Sequence, residues 1–563
     1  MCKFSQIYLQ IKLRFVNFGV TFHSINLFNI TTTMKKWNCV AIIIAALAIW
    51  SCSNTGWQED EMNVEPQPQT TSTIEGVKVP NPYSVEAMKA ACEVLYPTTR
   101  TGGSIADEII VATHIYARFL PADKEQMDYL LDTGWELFNY PLDVEFDYDP
   151  SEYHDPSLPD DQITWQYTVI PIDTTLPTDI TYEILEECYI PDDDDETEVE
   201  TTAGTIDIAA IEALSVNYVE TGVMDPSAST MALANQRYVG TITVDERPVK
   251  GVKVRYRKGI ITKTTHTSAT GSYSISGRLG DVPKVELCFE NDSKDYKIGY
   301  RFELLLPSKV TLGTTRTKNF TKSSHLKGWT LSWINNATYD YYNRCVAENI
   351  TTPPSGMRIW GIHRGGGAAC PMLNHLNPLT YHITGSDLLD FIFLSNRSSI
   401  SYATIVFALF GLDVIVCNTD ELTAEKIYQF TCHELAHASH FKQVGTHTMQ
   451  RALWWSNVID YEVGCYIQCI GPYGASHTPN NGHCGVTEMW AHAMGFIMQK
   501  EGYHFQDISG TEYPELNKDY WFEPEFIWDK YRYRELSIHE IFSPLTRNVT
   551  DVRAYKNLIN SQL

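Results

Sequence analysis

The chain has 563 residues, 43 % of them apolar, which is enough to bury several cores and is typical of two to four folded domains. Its formal net charge is −26, and its pI is about 5.0. A surface this acidic repels phosphate backbones, so nucleic acid is not an expected partner.

The amino terminus predicts export. Met34-Lys35-Lys36 is a short basic segment, residues 40–50 are apolar, and Ser51-Cys52-Ser53 follows. The apolar run is too short to span a bilayer but suits a signal peptide. A small residue directly before a cysteine resembles the lipobox of bacterial lipoproteins. The resemblance implies that residues 1–51 are leader and signal peptide and that Cys52 is lipidated.

This resemblance also implies a location and a mode of membrane contact. We expect an outer-membrane lipoprotein of a Gram-negative bacterium, facing the periplasm or the cell surface and touching the membrane only through its lipid anchor. An ordinary secretory signal, cleaved nearby, is the alternative. Residues 52–73 are rich in Glu, Gln, Pro and Thr, which predicts a flexible tether.

Residues 74–235 carry no visible chemistry and predict a small α+β accessory domain. Apolar patterning there favours helices at 82–96 and 123–131 and strands at 109–120, 137–146 and 163–172.

Residues 236–310 alternate in the manner of strands, for example in residues 238–244 and 251–256, with a turn at Asp245-Glu246-Arg247-Pro248. Pro248-Val249-Lys250-Gly251-Val252 and Gly271-Ser272-Tyr273-Ser274-Ile275 resemble the carboxypeptidase regulatory-like β-sandwich. That resemblance implies a non-catalytic spacer or docking module.

His433-Glu434-Leu435-Ala436-His437 is the most informative string in the chain. Two histidines four residues apart share one helix face, so both imidazoles can reach one metal ion. The string is the HExxH motif of zinc metallopeptidases, in which the glutamate is the general base. A short apolar strand at 412–417 and a helix from about 422 to 442, capped by Asn418-Thr419-Asp420, are expected around it.

The third zinc ligand is expected to be a glutamate. His440 and Gln443 stand where the metzincin pattern has glycine and histidine, so that family is disfavoured. The segment 486–495 resembles the glutamate helix of gluzincins, which makes Glu488 the preferred ligand, in the first turn of its helix. Glu462 is the alternative ligand. If Glu488 is the ligand, Glu462 or Asp460 is a candidate to orient a ligand histidine.

These residues predict an exported zinc metallopeptidase with one Zn²⁺ ion and a protein or peptide substrate. The expected fold class is multidomain: an α+β accessory domain, a β-sandwich, and an α+β zincin-like catalytic domain at 311–563. Glu434 would take a proton from the attacking water, and Tyr466, His477 and His483 are candidates to stabilise the oxyanion.

Two other functions stay open at this point. One is a surface binding lipoprotein whose zincin scaffold no longer cleaves. The other is a metal-dependent hydrolase of a non-peptide bond, or a purely structural zinc site.

Overall fold

A computed structural model describes residues 76–97, 104–146, 150, 153–159, 162–191, 198–201, 204–227, 236–277, 284–300, 306–313, 315–362, 367–375, 411–417, 422–467, 470, 473–514 and 520–563. These residues form a mixed α and β structure with several antiparallel sheets. The predicted leader, Cys52 and the tether lie outside the described residues. Within the described part of the chain, no helix combines the length and the apolar character needed to cross a membrane.

Eleven α-helices and one π-helix occur in the described residues. The first five helices are α1 (Val85–Leu95), α2 (Ile105–Ile109), α3 (Lys124–Asp132), α4 (Ile208–Thr221) and α5 (Leu326–Ala347). The carboxy-terminal part contains α6 (Ala424–Gln443), α7 (Thr448–Ile467), α8 (Gly482–Ile497), the π-helix Met498–Tyr503, α9 (Glu525–Arg532), α10 (Ile538–Phe542) and α11 (Val552–Asn560).

The strands are mostly short. The first seven are β1 (Val77–Lys78), β2 (His114–Leu120), β3 (Val144–Glu145), β4 (Gln166–Pro171), β5 (Thr181–Cys188), β6 (Glu198–Thr201) and β7 (Gly204–Asp207). The next six are β8 (Gln236–Val244), β9 (Arg247–Pro248), β10 (Lys253–Lys258), β11 (Ile261–His266), β12 (Ser272–Gly277) and β13 (Lys284–Cys288). The last six are β14 (Tyr296–Tyr300), β15 (Lys309–Gly313), β16 (Lys318–Phe320), β17 (Met357–Ile362), β18 (Gly367–Ala369) and β19 (Val414–Cys417).

Four of the five elements predicted in the amino-terminal range form there, and α2, α4 and the strands β5 to β7 were not predicted. α1 and α3 confirm the predicted helices, and Ser84 and Asp123 cap them by accepting hydrogen bonds from the backbone N–H groups of Ala87 and Gln126. β2 lies between β4 and β5 in an antiparallel sheet. The strand predicted over residues 137–146 is wrong for most of its length, since only β3 forms there.

The middle of the chain forms two sheets, with strand orders β11-β10-β13-β15 and β12-β8-β16. The turn predicted at residues 245–248 is confirmed in its first half: Asp245 and Glu246 have φ values of 45° and 64°, as tight hairpins of the primed type require. Arg247 and Pro248 form the strand β9 instead. Gly271 has a φ of 73°, and a Cβ there would lie 2.4 Å from the carbonyl oxygen of Ile242. Only glycine fits this turn before β12.

A third sheet, of order β14-β17-β19-β18, carries the elements that lead into the HExxH helix. β14, β17 and β19 run parallel, and β18 is antiparallel to β19. β14 belongs to the range predicted as sandwich, whereas β16, from the range predicted as catalytic, pairs with β8. Strand pairing therefore crosses the predicted boundary at residue 310 in both directions.

α6 lies at the centre of the carboxy-terminal helices, between α5 and α8. Its small residues, Ala436, Ala438 and Ser439, are fully buried and leave room for the neighbouring helices. The hydroxyl of Tyr341 on α5 lies 3.0 Å from that of Ser439. The buried strand predicted before this helix is confirmed by β19, in which Val414 and Val416 are buried completely.

Candidate metal centre

The HExxH string lies on α6, as its spacing predicts. The helix begins one residue after Thr423, whose hydroxyl accepts a hydrogen bond from the backbone N–H of Lys426. Thr423 is therefore the cap, and not the predicted Asn418-Thr419-Asp420, which lies outside the described residues. One turn of helix places Nε2 of His433 and Nε2 of His437 only 3.0 Å apart.

α8 brings Glu488 to these two histidines. Glu488 lies in the second turn of this helix rather than in the predicted first turn, because α8 begins at Gly482. Small residues of α8 were predicted to pack closely against the HExxH helix. Gly495 does so, because a Cβ at this position would lie 3.1 Å from Cβ of His433. The indole N–H of Trp490 also donates to the carbonyl oxygen of Ala436, at 3.1 Å.

The Glu488 carboxylate faces both imidazoles. Oε1 lies 3.2 Å from Nε2 of His437, and Oε2 lies 3.5 Å from Nε2 of His433. Oε2 is buried and has no hydrogen-bond partner. Burial alone would raise the pKa of Glu488, but His437 and His433 lower it below its ordinary value. A buried, ionised oxygen without a donor beside two ring nitrogens suits a metal ion. The two groups that could hold one among the described residues, His433–Glu434–His437 and His433–Glu488–His492, each share two residues with this set.

Glu434 lies beside these residues and forms one of the metal-compatible groups with His433 and His437. Its Oε1 is 3.9 Å from Nε2 of His433, and its side chain is buried. Burial raises the pKa of Glu434 to about 8, although His433 acts in the opposite direction. A buried carboxyl group with a raised pKa is well suited to accept and return a proton near neutral pH.

Thr487, next to Glu488 on α8, contacts two histidines of α6. Its Oγ1 lies 2.8 Å from Nδ1 of His437 and 3.1 Å from Nδ1 of His440. Burial lowers the pKa of His440 to about 3, so its imidazole is neutral. Both contacts are satisfied when His437 donates to the hydroxyl and the hydroxyl donates to His440. In that arrangement Nε2 of His437 keeps a lone pair towards Glu488 and His433.

Glu462 lies on α7 and lines the same cavity as Glu488. Neither of the two metal-compatible groups among the described residues, His433–Glu434–His437 and His433–Glu488–His492, includes it. Burial, Glu488 and Glu434 raise its pKa well above the ordinary value, although a hydrogen bond with the Cys484 thiol acts in the opposite direction. Asp460, the other residue considered for orienting a histidine, is exposed.

His492 and Tyr473 are site residues that sequence reasoning missed. His492 follows Glu488 by four residues on α8, and its Nε2 lies 3.6 Å from Oε2 of Glu488. The hydroxyl of Tyr473 lies 3.2 Å from the same nitrogen. The i, i+4 spacing was a readable signal for His492, whereas Tyr473 comes from an irregular loop without one.

Two of the three residues proposed as oxyanion donors do not line the cavity at this cluster. His477 is exposed, and the ring of His483 packs against Trp454 at 5.0 Å. The side chain of Tyr466 lies outside the part of the chain that the structure describes.

A cavity of about 20 Å³ lies at this cluster, which is room for one ion or one water molecule. Its wall includes the cluster residues His433, Glu434, His437 and Glu488, together with Tyr473 and residues 368–370 at β18. α7 contributes the side chains of Trp455, Val458, Ile459 and Glu462. β18 forms one end of its sheet among the described strands.

Comparisons of the chain with protein families, with curated proteins and with solved structures found no match. Interpretation of the site therefore depends on its own geometry and chemistry.

Proposed function

We propose that this chain is an exported, lipid-anchored zinc metallopeptidase that hydrolyses peptide bonds. In this proposal the catalytic unit is zincin-like, the two central sheets form a β-sandwich module, and residues 74–235 form an accessory domain. Cys52 would carry the lipid, and the protein would sit in the outer membrane of a Gram-negative bacterium.

One observation carries the proposal: the Nε2 atoms of His433 and His437 lie next to each other, and each faces one carboxylate oxygen of Glu488. The separations of 3.0, 3.2 and 3.5 Å are close to the spacing of about 3.3 Å that follows from roughly 2.0–2.2 Å bonds around a tetrahedral zinc. Two imidazoles and one carboxylate are also the ligand set of catalytic zinc sites in several peptidases. We therefore assign the three residues as zinc ligands, with Glu462 as the alternative to Glu488.

When bound, zinc supplies a Lewis acid that polarises a carbonyl oxygen, lowers the pKa of water and favours the ionised form of Glu434. Glu434 then accepts the proton of the attacking water and returns it to the leaving amine. Thr487 holds His437 in the tautomer that turns Nε2 towards the site. Tyr473, whose hydroxyl reaches His492 at the edge of the cavity, is positioned to donate a hydrogen bond to the developing oxyanion.

β18 is the expected docking strand for the substrate backbone. Its residues Ala368 and Ala369 line the cavity, and β18 is the last strand of its sheet among the described residues. An extended peptide can add to a sheet edge by main-chain hydrogen bonds. This arrangement favours a peptide over other hydrolysable substrates.

The test separates metal binding from chemistry with three variants. Glu434→Gln is expected to keep stoichiometric zinc but to lose about 10²- to 10⁴-fold in the rate of cleavage of a quenched peptide library. His437→Ala is expected to lose both zinc and cleavage. Glu425→Gln, on the same helix but bonded to Gln499 and His504, is the matched control and should retain both. Peptidase activity that persists in Glu434→Gln would overturn the mechanism.

A second candidate function is a surface binding lipoprotein whose scaffold holds a metal but does not cleave. The small space at the cluster, about 20 Å³, is compatible with this function, because an ion or a water molecule fills that volume. Stoichiometric metal in the wild-type chain, together with no cleavage of any library peptide, would select this function over the peptidase.

A further inference from the structure

His492 has no assigned role in the proposed function, although it belongs to one of the two metal-compatible groups among the described residues. That group is His433–Glu488–His492, and its ligand atoms all lie within 4.8 Å of one another. His492 is buried on α8, four residues after Glu488. Residues four apart on a helix share one face, so both side chains are directed to the same side of α8.

The carboxylate of Glu488 faces His492 as well as the histidines of the HExxH string. Oε1 lies 3.2 Å from Nε2 of His437. Oε2 lies 3.5 Å from Nε2 of His433 and 3.6 Å from Nε2 of His492. These separations are near the spacing of about 3.3 Å between two ligand atoms of a tetrahedral zinc. The two metal-compatible groups share His433, and the cavity at the cluster has room for one ion, so both groups serve a single ion.

Oε2 of Glu488 also indicates why a nitrogen lies so near it without a hydrogen bond. The oxygen is buried and has no hydrogen-bond partner, and 3.6 Å is too long for an N–H···O bond. A buried carboxylate oxygen without a donor is costly unless a cation compensates its charge. An ion in contact with this oxygen and with Nε2 of His492 would supply that compensation.

Aromatic side chains hold the imidazole of His492 in place. Its ring centre lies 4.6 Å from that of Tyr520, 5.3 Å from that of Phe522 and 5.7 Å from that of Tyr473. The hydroxyl of Tyr473 lies 3.2 Å from Nε2 of His492. When this hydroxyl donates to Nε2, the nitrogen carries a lone pair, as it must in a metal ligand. A ring fixed by packing in this way is suited to a coordination site.

We propose that His492 is a fourth protein ligand of the ion, which completes a set of three imidazoles and one carboxylate with His433, His437 and Glu488. This inference rests on the proposed function, because it concerns the ion assigned there. Structural zinc sites have four protein ligands and catalytic sites usually have three, but zinc in a catalytic site can expand to five ligands. A fourth protein ligand therefore makes the ion less accessible without excluding hydrolysis.

X-ray absorption at the zinc edge tests the assignment, because scattering from imidazole rings counts the histidine ligands independently of activity. We expect three imidazoles in the zinc-loaded wild-type chain and two in His492→Phe, which keeps an aromatic ring but removes the nitrogens. The zinc affinity of His492→Phe should fall by more than the roughly 10- to 100-fold that loss of an orienting partner typically costs.

His504→Gln is the matched control. Nε2 of His504 also lies beside a carboxylate oxygen, Oε1 of Glu425 at 2.7 Å, but His504 belongs to neither metal-compatible group. This variant should keep three imidazoles and the wild-type affinity. Only two imidazoles in the wild-type chain, or equal counts in the wild-type chain and His492→Phe, would overturn the inference and leave the proposed function standing. A wild-type chain that binds no zinc would overturn the proposed function, and the inference with it.

Discussion

At the scale of single residues, one hydroxyl group, that of Thr487, contacts the rings of two histidines. In histidines that bind a metal, a second group commonly fixes the ring nitrogen that is remote from the metal. Thr487 contacts Nδ1 of His437, which is the nitrogen remote from the candidate site. Here the fixing group is a neutral hydroxyl, which in turn contacts the buried and neutral His440. A carboxylate is the more usual partner, and Thr487 therefore makes a weaker base of His437 than a carboxylate would.

Replacing Thr487 by valine keeps the shape of the side chain but removes the hydroxyl. We expect metal affinity to fall by about 10- to 100-fold, because His437 loses the contact that fixes its tautomer and ring orientation. Competition with a chromophoric chelator measures the affinity. Thr431→Val is the control: its hydroxyl is equally buried on α6 but bonds only to the carbonyl oxygen of Ile427. Equal affinities in the two variants would show that Thr487 has no orienting role.

At the scale of elements, the site depends on how closely α6 and α8 approach each other. Gly495 permits that approach, because any Cβ there would press on Cβ of His433 at 3.1 Å and on the carbonyl oxygen of Gln429 at 3.3 Å. The same helix carries Thr487 and Glu488 two turns earlier. A change in the distance between the helices therefore moves the carboxylate relative to the histidines.

Gly495→Val should separate the two helices. We expect a loss of about 1–3 kcal/mol in the free energy of unfolding from overpacking, and a decrease in zinc affinity beyond that of the control. Gly464→Val on α7 is that control, since a Cβ at Gly464 meets nothing within 4 Å. Chemical denaturation and metal titration measure the two quantities. If Gly495→Val binds zinc as the wild-type chain does, close packing at this glycine does not set the site geometry.

The elements also show which features a single sequence can predict. α6 and β19 follow from periodicity and spacing, which are local properties of the chain. Glu488 was selected through the resemblance of its segment to the glutamate helix of gluzincins. The pairing of β14 with β17, and of β16 with β8, joins segments far apart in the sequence and has no local signal. Tyr473 escaped prediction for the same reason, because only the fold brings its loop to His492.

At the scale of the whole molecule, one hydrophobic core runs through the predicted sandwich and catalytic ranges. It includes Val254 of β10, Ile298 of β14, Ile334 of α5, Leu435 of α6 and Met489 of α8. The site helices therefore share their buried contacts with the central sheets. A metal ion that binds only the folded chain should stabilise all of these elements together.

Metal removal is consequently expected to shift one cooperative unfolding transition that covers both ranges. At a free zinc concentration 100 times the dissociation constant, the ion contributes about 2.7 kcal/mol, which chelation would remove and added zinc restore. Differential scanning calorimetry with and without chelator measures the shift, and His437→Ala, unable to hold the ion, should be insensitive to chelator. Two separate transitions, of which chelation moves only one, would instead mean that the ranges 236–310 and 311–563 unfold independently in spite of their shared core.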